Sequence, residues 1–185
     1  MLESLRARLA RGSKVKLLYA GEEHAAALVG PCLAVIARRE PGPNIFQEAP
    51  RWVDGLLEAY PHKGGVIVIV QANAPPPSDA SRSRIDRAYS EYGRGVVAGA
   101  MVIEGRGFVA ASIRSVLSLM MLTSKYSYPI KTFSNVDDGA AFLANKLPDA
   151  SAAPAPFIAS GVEELRAAYE GEMGAFTAGP SRANI

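Results

Sequence analysis

Hydrophobic positions along the chain change period several times, and each change predicts an element. Leu2, Leu5 and Leu9 recur at helical spacing with Arg6, Arg8 and Arg11 between them, which predicts a short basic amphipathic helix stopping at Gly12. Val15 to Tyr19, His24 to Val29 and Cys32 to Arg38 are β-leaning runs separated by Gly21 and by Gly30-Pro31, so the sheet is expected to begin antiparallel. Pro41-Gly-Pro43 then breaks the run. Phe46, Val53, Leu56, Leu57 and Tyr60 lie near helical spacing and are stopped by Pro61 and Gly64-Gly65. Val66 to Val70 is an unbroken β-branched run, the mark of a strand buried on both faces, and Val96 to Ile103 reads as a second one.

Helical patterns separate those strands. Ser78 or Asp79 is placed to cap a helix whose Ile85, Ala88, Tyr89 and Tyr92 line one side, with Arg82/Asp86 and Arg87/Glu91 as i, i+4 pairs. Gly105-Arg-Gly107 opens an apolar helix from Phe108 to about Ser124. Pro129 to Phe133 has the length of an edge strand, and Ser134 or Asn135 caps a helix through Phe142 and Leu143. The resulting fold class is α/β: a mixed, mostly parallel sheet of five or six strands with helices on its faces and right-handed crossovers. Pro148 to Pro156 reads as an Ala/Pro-rich linker, and Ser160-Gly-Val-Glu163 as a capping box for a short helix to about Glu170. The expected segments are thus an amphipathic helix at 1–13, the α/β domain at 14–147, a linker at 148–159, and a short helix with a disordered tail at 160–185.

Composition adds limits. The chain has 185 residues, 49% of them hydrophobic and 21% charged, which is globular rather than disordered composition. A net charge of +2 gives no global field for nucleic acid. The apolar stretch from Phe108 to Leu122 contains Arg114 and is shorter than the ~20 residues of a membrane span, so no span is expected. One cysteine, Cys32, and an N-terminus without a continuous apolar stretch fit a reducing, cytoplasmic setting.

The element order across residues 15 to 147, together with the closing segment Pro129-Ile-Lys-Thr-Phe-Ser-Asn-Val-Asp-Asp-Gly-Ala-Ala-Phe-Leu143, resembles the bacterial STAS-like family of anti-sigma-factor antagonists and their lipid-carrier-like relatives. The resemblance implies a non-catalytic regulatory module that acts on a protein partner. In the antagonists a serine in an Asp-Ser-Ser/Thr-Gly turn after a central strand is phosphorylated. Here Asn73-Ala-Pro-Pro-Pro-Ser-Asp-Ala-Ser81 stands in that place, which makes Ser78 and Ser81 the implied switch residues and Asp79, Arg82, Arg84 and Arg87 the implied partner surface. The plainer reading of Ser78 is a helix cap after a proline turn.

Other chemistry is sparse. Gly105-Arg-Gly-Phe-Val-Ala110 formally fits a dinucleotide-binding pattern, so Glu104, Gly105, Arg106, Gly107 and Arg114 are the candidates for holding an anionic or nucleotide-like ligand. His24 and His62 read as surface histidines and Cys32 as a buried structural thiol, with neither metal-ligand nor triad spacing, so no metal, cofactor or enzymatic activity is expected. Leu119, Met121 and Leu122 exceed the core stripe of their helix, which raises a homodimer as one way to cover them. The alternative function is a binder of an apolar or nucleotide-like small molecule at the carboxyl ends of Val66–Val70 and Val96–Ile103.

Overall fold

A computed structural model describes residues 2–9, 13–40, 42–72, 74–124, 126–148 and 153–177. Six strands, β1 (Val15–Ala20), β2 (His24–Val29), β3 (Cys32–Ala37), β4 (Gly64–Val70), β5 (Val96–Ile103) and β6 (Ile130–Phe133), form one sheet in the order β1-β2-β3-β4-β5-β6. The first two pairings are antiparallel and the remaining three parallel. The sheet is therefore mixed rather than mostly parallel, because tight turns at Gly21 to Glu23 and Gly30-Pro31 return the chain directly. β4 and β5 are adjacent, parallel and largely buried, as their β-branched runs predict.

Strand order dictates where the helices go. Each parallel step moves to the next strand in the same direction, and right-handed crossovers then place every intervening helix on one face. These helices are α2 (Pro43–Ala59), α3 (Asp79–Tyr92) and α4 (Phe108–Thr123). They pack on alternate sheet residues Ala26, Leu28, Leu33, Val35, Val66, Met101 and Ile103. The opposite face, with Ala25, Ala27, Ala34, Ile36, Ile67, Ile69 and Val102, is covered by α5 (Val136–Ala144) and α6 (Ala155–Thr177). A seven-residue α1 (Leu2–Arg8) docks beside α6 through the fully buried Leu5. The expected stop of that helix at Gly12 lies outside the described residues.

The carboxyl-terminal region departs most from expectation. In place of a linker and a short helix from Ser160, a 23-residue helix begins at Ala155. Proline is tolerated in the first helical turn and alanine is the best helix former, so a composition that resembles a linker starts a helix here. Ser160 lies inside that helix and its hydroxyl donates to the Pro156 carbonyl at 2.7 Å. Ile158, Val162, Leu165, Tyr169 and Met173 form the buried stripe, and the Tyr169 hydroxyl donates to the Gly21 carbonyl at 2.8 Å. The helix belongs to the core. Residues 149–152 and the tail beyond Thr177 lie outside the described residues. Among the described residues, no helix is long and apolar enough to cross a membrane.

Two glycines on α6 give opposite expectations for one substitution. A Cβ on Gly161 would lie 2.2 Å from Cγ1 of Val29, whereas one on Gly174 would meet nothing within 4 Å. Gly161→Ala is expected to destabilise the protein by about 1–3 kcal/mol through overpacking. Gly174→Ala is expected to stabilise it by up to about 1 kcal/mol through helix propensity. Urea denaturation of both variants checks the docking of α6: an unfolding midpoint for Gly161→Ala equal to wild type would contradict it.

Candidate functional site

The face that carries α2, α3 and α4 is incompletely filled. A cavity of about 100 Å³ lies between the sheet and these helices, toward the carboxyl ends of β3 and β4. Its floor is Val35 and Ala37 of β3, Val68 and Val70 of β4 and Met101 of β5. Phe46 and Trp52 of α2, Tyr89 and Tyr92 of α3 and Ile113 and Leu117 of α4 supply its walls. Space remains because three lining positions that could carry larger side chains, Ala37, Ala74 and Ala88, are alanines. The exposed members of the lining, Arg39 and Pro75, mark the mouth. The parallel strands run in sequential order without a reversal, so this site is an interior gap under the helices and not a crevice between diverging loops.

His24 is the buried histidine of the cavity lining. It opens β2, pairs with Ala37 of β3 and shares the sheet face of Ala26 and Leu28, which turns its imidazole inward. Only 2% of it is exposed, and its buried Nδ1 has no hydrogen-bond partner. The expectation of a surface histidine is thereby corrected. Burial lowers its pKa to about 4, which keeps the ring neutral at neutral pH. The signal was present in the run His-Ala-Ala-Ala-Leu-Val, since the residue two before Ala26 points to the same face, but the polar side chain suggested a strand end in solvent. Cys32 is buried as expected, and burial raises its thiol to about 12. His62 is exposed.

Next to the mouth, the β4–α3 connection is fixed by Glu40. Its carboxylate accepts the Ser78 N–H at 2.8 Å, at the amino end of α3 where a negative charge is favoured. The Ser78 hydroxyl, the Ser81 hydroxyl and the Ser78 amide hold the Glu40 carboxyl down to about 2. Ser78 is the cap of α3, exposed, and its Oγ accepts the Ser81 N–H at 3.3 Å. Ser81 is only 3% exposed, which removes it from the accessible surface on which a switch residue must stand. Asn73, in the same turn, lies outside the described residues.

The expected partner surface divides in two. Asp79 pairs with Arg82 at 3.1 Å, and the Arg82 Nε donates back to the Pro77 carbonyl, so that pair stays local to the turn. Arg84 and Arg87 are exposed along a groove between α2 and α3 that also includes Phe46 and Pro50. Asp86 forms no pair with Arg82. Instead it accepts hydrogen bonds from the Ser124 and Tyr126 hydroxyls, which lower its pKa and tie α3 to the end of α4.

The expected anion site also separates from the cavity. Glu104 faces α6, where Arg166 holds it at 2.6 Å. Burial alone would lower the Arg166 guanidinium, but the hydrogen bond and charge of Glu104, followed by the charges of Glu163 and Glu170, raise it. Gly105 and Gly107 have φ of 89° and 84°, so the turn needs glycine for its backbone alone. Arg106 is exposed, Arg114 is half-buried, and neither lines the cavity. Phe108, Val109 and Leu119 on the outside of α4 are exposed at 87%, 49% and 62%, whereas Met121 is partly buried and the Leu122 side chain lies outside the described residues. Among the described residues, no group of three or more His, Cys, Asp or Glu is placed to hold a metal ion. No protein-family model, curated protein or solved structure matches the chain.

The buried imidazole makes stability depend on pH. Above about 6.5 His24 is neutral in both the folded and the unfolded chain; below it the unfolded chain takes up a proton that the folded chain resists until about pH 4. Stability should be full above pH 6.5 and fall by about 3 kcal/mol as the pH drops through that window. His24→Gln should remove most of that fall. Urea midpoints of both proteins at pH 7.5, 5.5 and 4 provide the measurement, and equal slopes for the two would contradict the assignment.

Proposed function

We propose that the protein is a non-catalytic binding module that holds a small, predominantly apolar molecule in the cavity beneath α2, α3 and α4. One observation carries this reading: a predominantly apolar cavity of about 100 Å³ persists beneath three helices, with the buried His24 in its lining. Apolar cavities of ~150 Å³ stay dry and take up benzene or xenon, so a gap of this order is a competent receptor for a molecule of similar size. A purely structural core would gain stability from a larger side chain at Ala37 or Ala88 and from an apolar residue at position 24. The nucleotide-like part of the earlier alternative has no support from the lining, because Glu104 to Gly107 lie elsewhere.

Regulation by protein contact, as in the STAS-like family, stands second. It rests on the element order, the closing segment, the exposure of Ser78 and the groove beside Arg84 and Arg87. A phosphate on Ser78 would stand beside the Glu40 carboxylate that already occupies the amino end of α3, and like charge opposes it.

The binding reading is tested with benzene and xenon, followed by the methyl shifts of Val35, Val68, Val70 and Leu117 in NMR spectra. Both probes should shift these methyls saturably in wild type. Ala37→Leu, which adds a side chain into the cavity, should abolish the shifts and leave the far-UV circular dichroism unchanged. Unshifted methyls in wild type, or shifts that survive Ala37→Leu, would count against the cavity as a binding site.

A further inference from the structure

We propose that the occupant of the cavity is a small amphiphilic monoanion, a short-chain carboxylate, with its alkyl chain beneath α2, α3 and α4 and its carboxylate at the mouth on the Arg39 guanidinium. This rests on the binding reading above and deepens it by naming the ligand's head group.

Strand parity delivers Arg39 to the mouth. Val35 and Ala37 of β3 line the cavity, and the pairing with β2 continues one residue further, where the Arg38 N–H donates to the Glu23 carbonyl at 2.9 Å. Alternation sends Arg38 to the opposite face, its guanidinium carbon 5.8 Å from the centre of the Tyr169 ring. Arg39 falls back on the cavity side, where it lines the gap and is exposed. A cation therefore stands at the rim of an apolar volume without being desolvated. About 100 Å³, the order of the ~150 Å³ gaps that take up benzene, buries a chain of only a few carbons and leaves the head group at that rim.

The charge at the mouth is uncommitted. Among the described residues, Arg39 forms no ion pair. The carboxylate of the lining, Glu40, is turned to the amino end of α3 and accepts the Ser78 N–H at 2.8 Å. Glu23, which follows the β1–β2 turn, accepts the Gly42 N–H at 3.2 Å. Both acids are thus engaged by backbone amides and leave the Arg39 guanidinium to a ligand. The Ala74 to Pro77 side of the mouth supplies no competing donor, because Pro75 and Pro77 have no N–H and the Ala74 N–H is given to the Gln71 carbonyl at 2.9 Å. A planar guanidinium matches a carboxylate through two parallel N–H···O bonds. One guanidinium with Glu40 in the same lining balances a single negative charge, which favours a carboxylate over a doubly charged phosphate monoester.

The test uses the full chain at pH 7 and three probes with the same chain and different heads: pentanoate, pentan-1-ol and pentylamine. Dissociation constants are measured by NMR titration for wild type, Arg39→Gln and Arg39→Glu, each checked for cooperative melting; an exposed position should tolerate both changes. Arg39→Gln should weaken pentanoate about 1.5- to 5-fold, the contribution of one exposed ion pair, and leave pentan-1-ol unchanged. Arg39→Glu should reverse the order, so that pentylammonium binds tighter than pentanoate. The wild-type preference for pentanoate over pentylammonium should shrink as salt is raised from 0.05 to about 0.5 M, since the pair is open to screening. Pentanoate binding that is indifferent to both substitutions, an equal loss of pentan-1-ol in Arg39→Gln, or pentylammonium as the tighter ion in wild type would overturn the assignment of the head group. Pentan-1-ol that still binds wild type would in each of these cases leave the binding reading intact. Failure of all three probes to bind wild type would overturn both readings.

Discussion

Handedness is the constraint on which the rest of this structure depends. Three successive parallel steps, from β3 to β6, all advance in one direction, so right-handed crossovers commit α2, α3 and α4 to the same side of the sheet. That leaves a second apolar face, with Ala25, Ala27, Ala34, Ile36, Ile67 and Ile69, which no crossover helix can reach. Only segments beyond β6 and before β1 remain to cover it. α5, α6 and the short α1 do so, and the length of α6 follows from the breadth of the face it must close. The two faces are consequently built by different logic: one by helices whose positions are dictated strand by strand, the other by a long terminal helix free to settle where it packs best.

This difference explains where space is left. α6 lies close enough to β2 that a Cβ on Gly161 would collide with Val29, and its stripe from Ile158 to Met173 is buried along its length. On the opposite face each helix is held at both ends by its neighbouring strands. Small residues at Ala37, Ala74 and Ala88 then leave a gap that the helices cannot shift to close, because the connections at their ends are fixed. Glu40 contributes to that rigidity by pinning Ser78 at the start of α3, and Asp86 by binding Ser124 and Tyr126 at the end of α4.

The strands were legible because a period of two, or an unbroken β-branched run, leaves little alternative: β2, β4 and β5 lie where the runs at His24, Val66 and Val96 place them. α6 was not, because alanine and proline carry two meanings. Outside a helix they compose a linker, and in a first turn they start one; only the later stripe of Ile158, Val162 and Leu165 separates the two readings. The cavity was less legible still. It is defined by what three alanines from different segments fail to fill, and a missing volume has no sequence signature until the segments are brought together. His24 lay between these cases: its strand and parity could be read, but that its face is closed by α2, α3 and α4, much later in the chain, could not.

The cavity and the imidazole would each be unremarkable alone, since proteins carry small packing defects and occasional orphaned polar atoms. Their coincidence is harder to attribute to packing. Both cost stability, one through contacts not made around an empty volume and the other through a ring nitrogen desolvated without a partner. A single apolar residue at position 24 would relieve the second and, if bulky, part of the first. An apolar ligand in the cavity relieves the first of these costs. Sites where a fold departs from its own packing rules without local compensation are the ones where function is expected, and His24 with Ala37 is such a place.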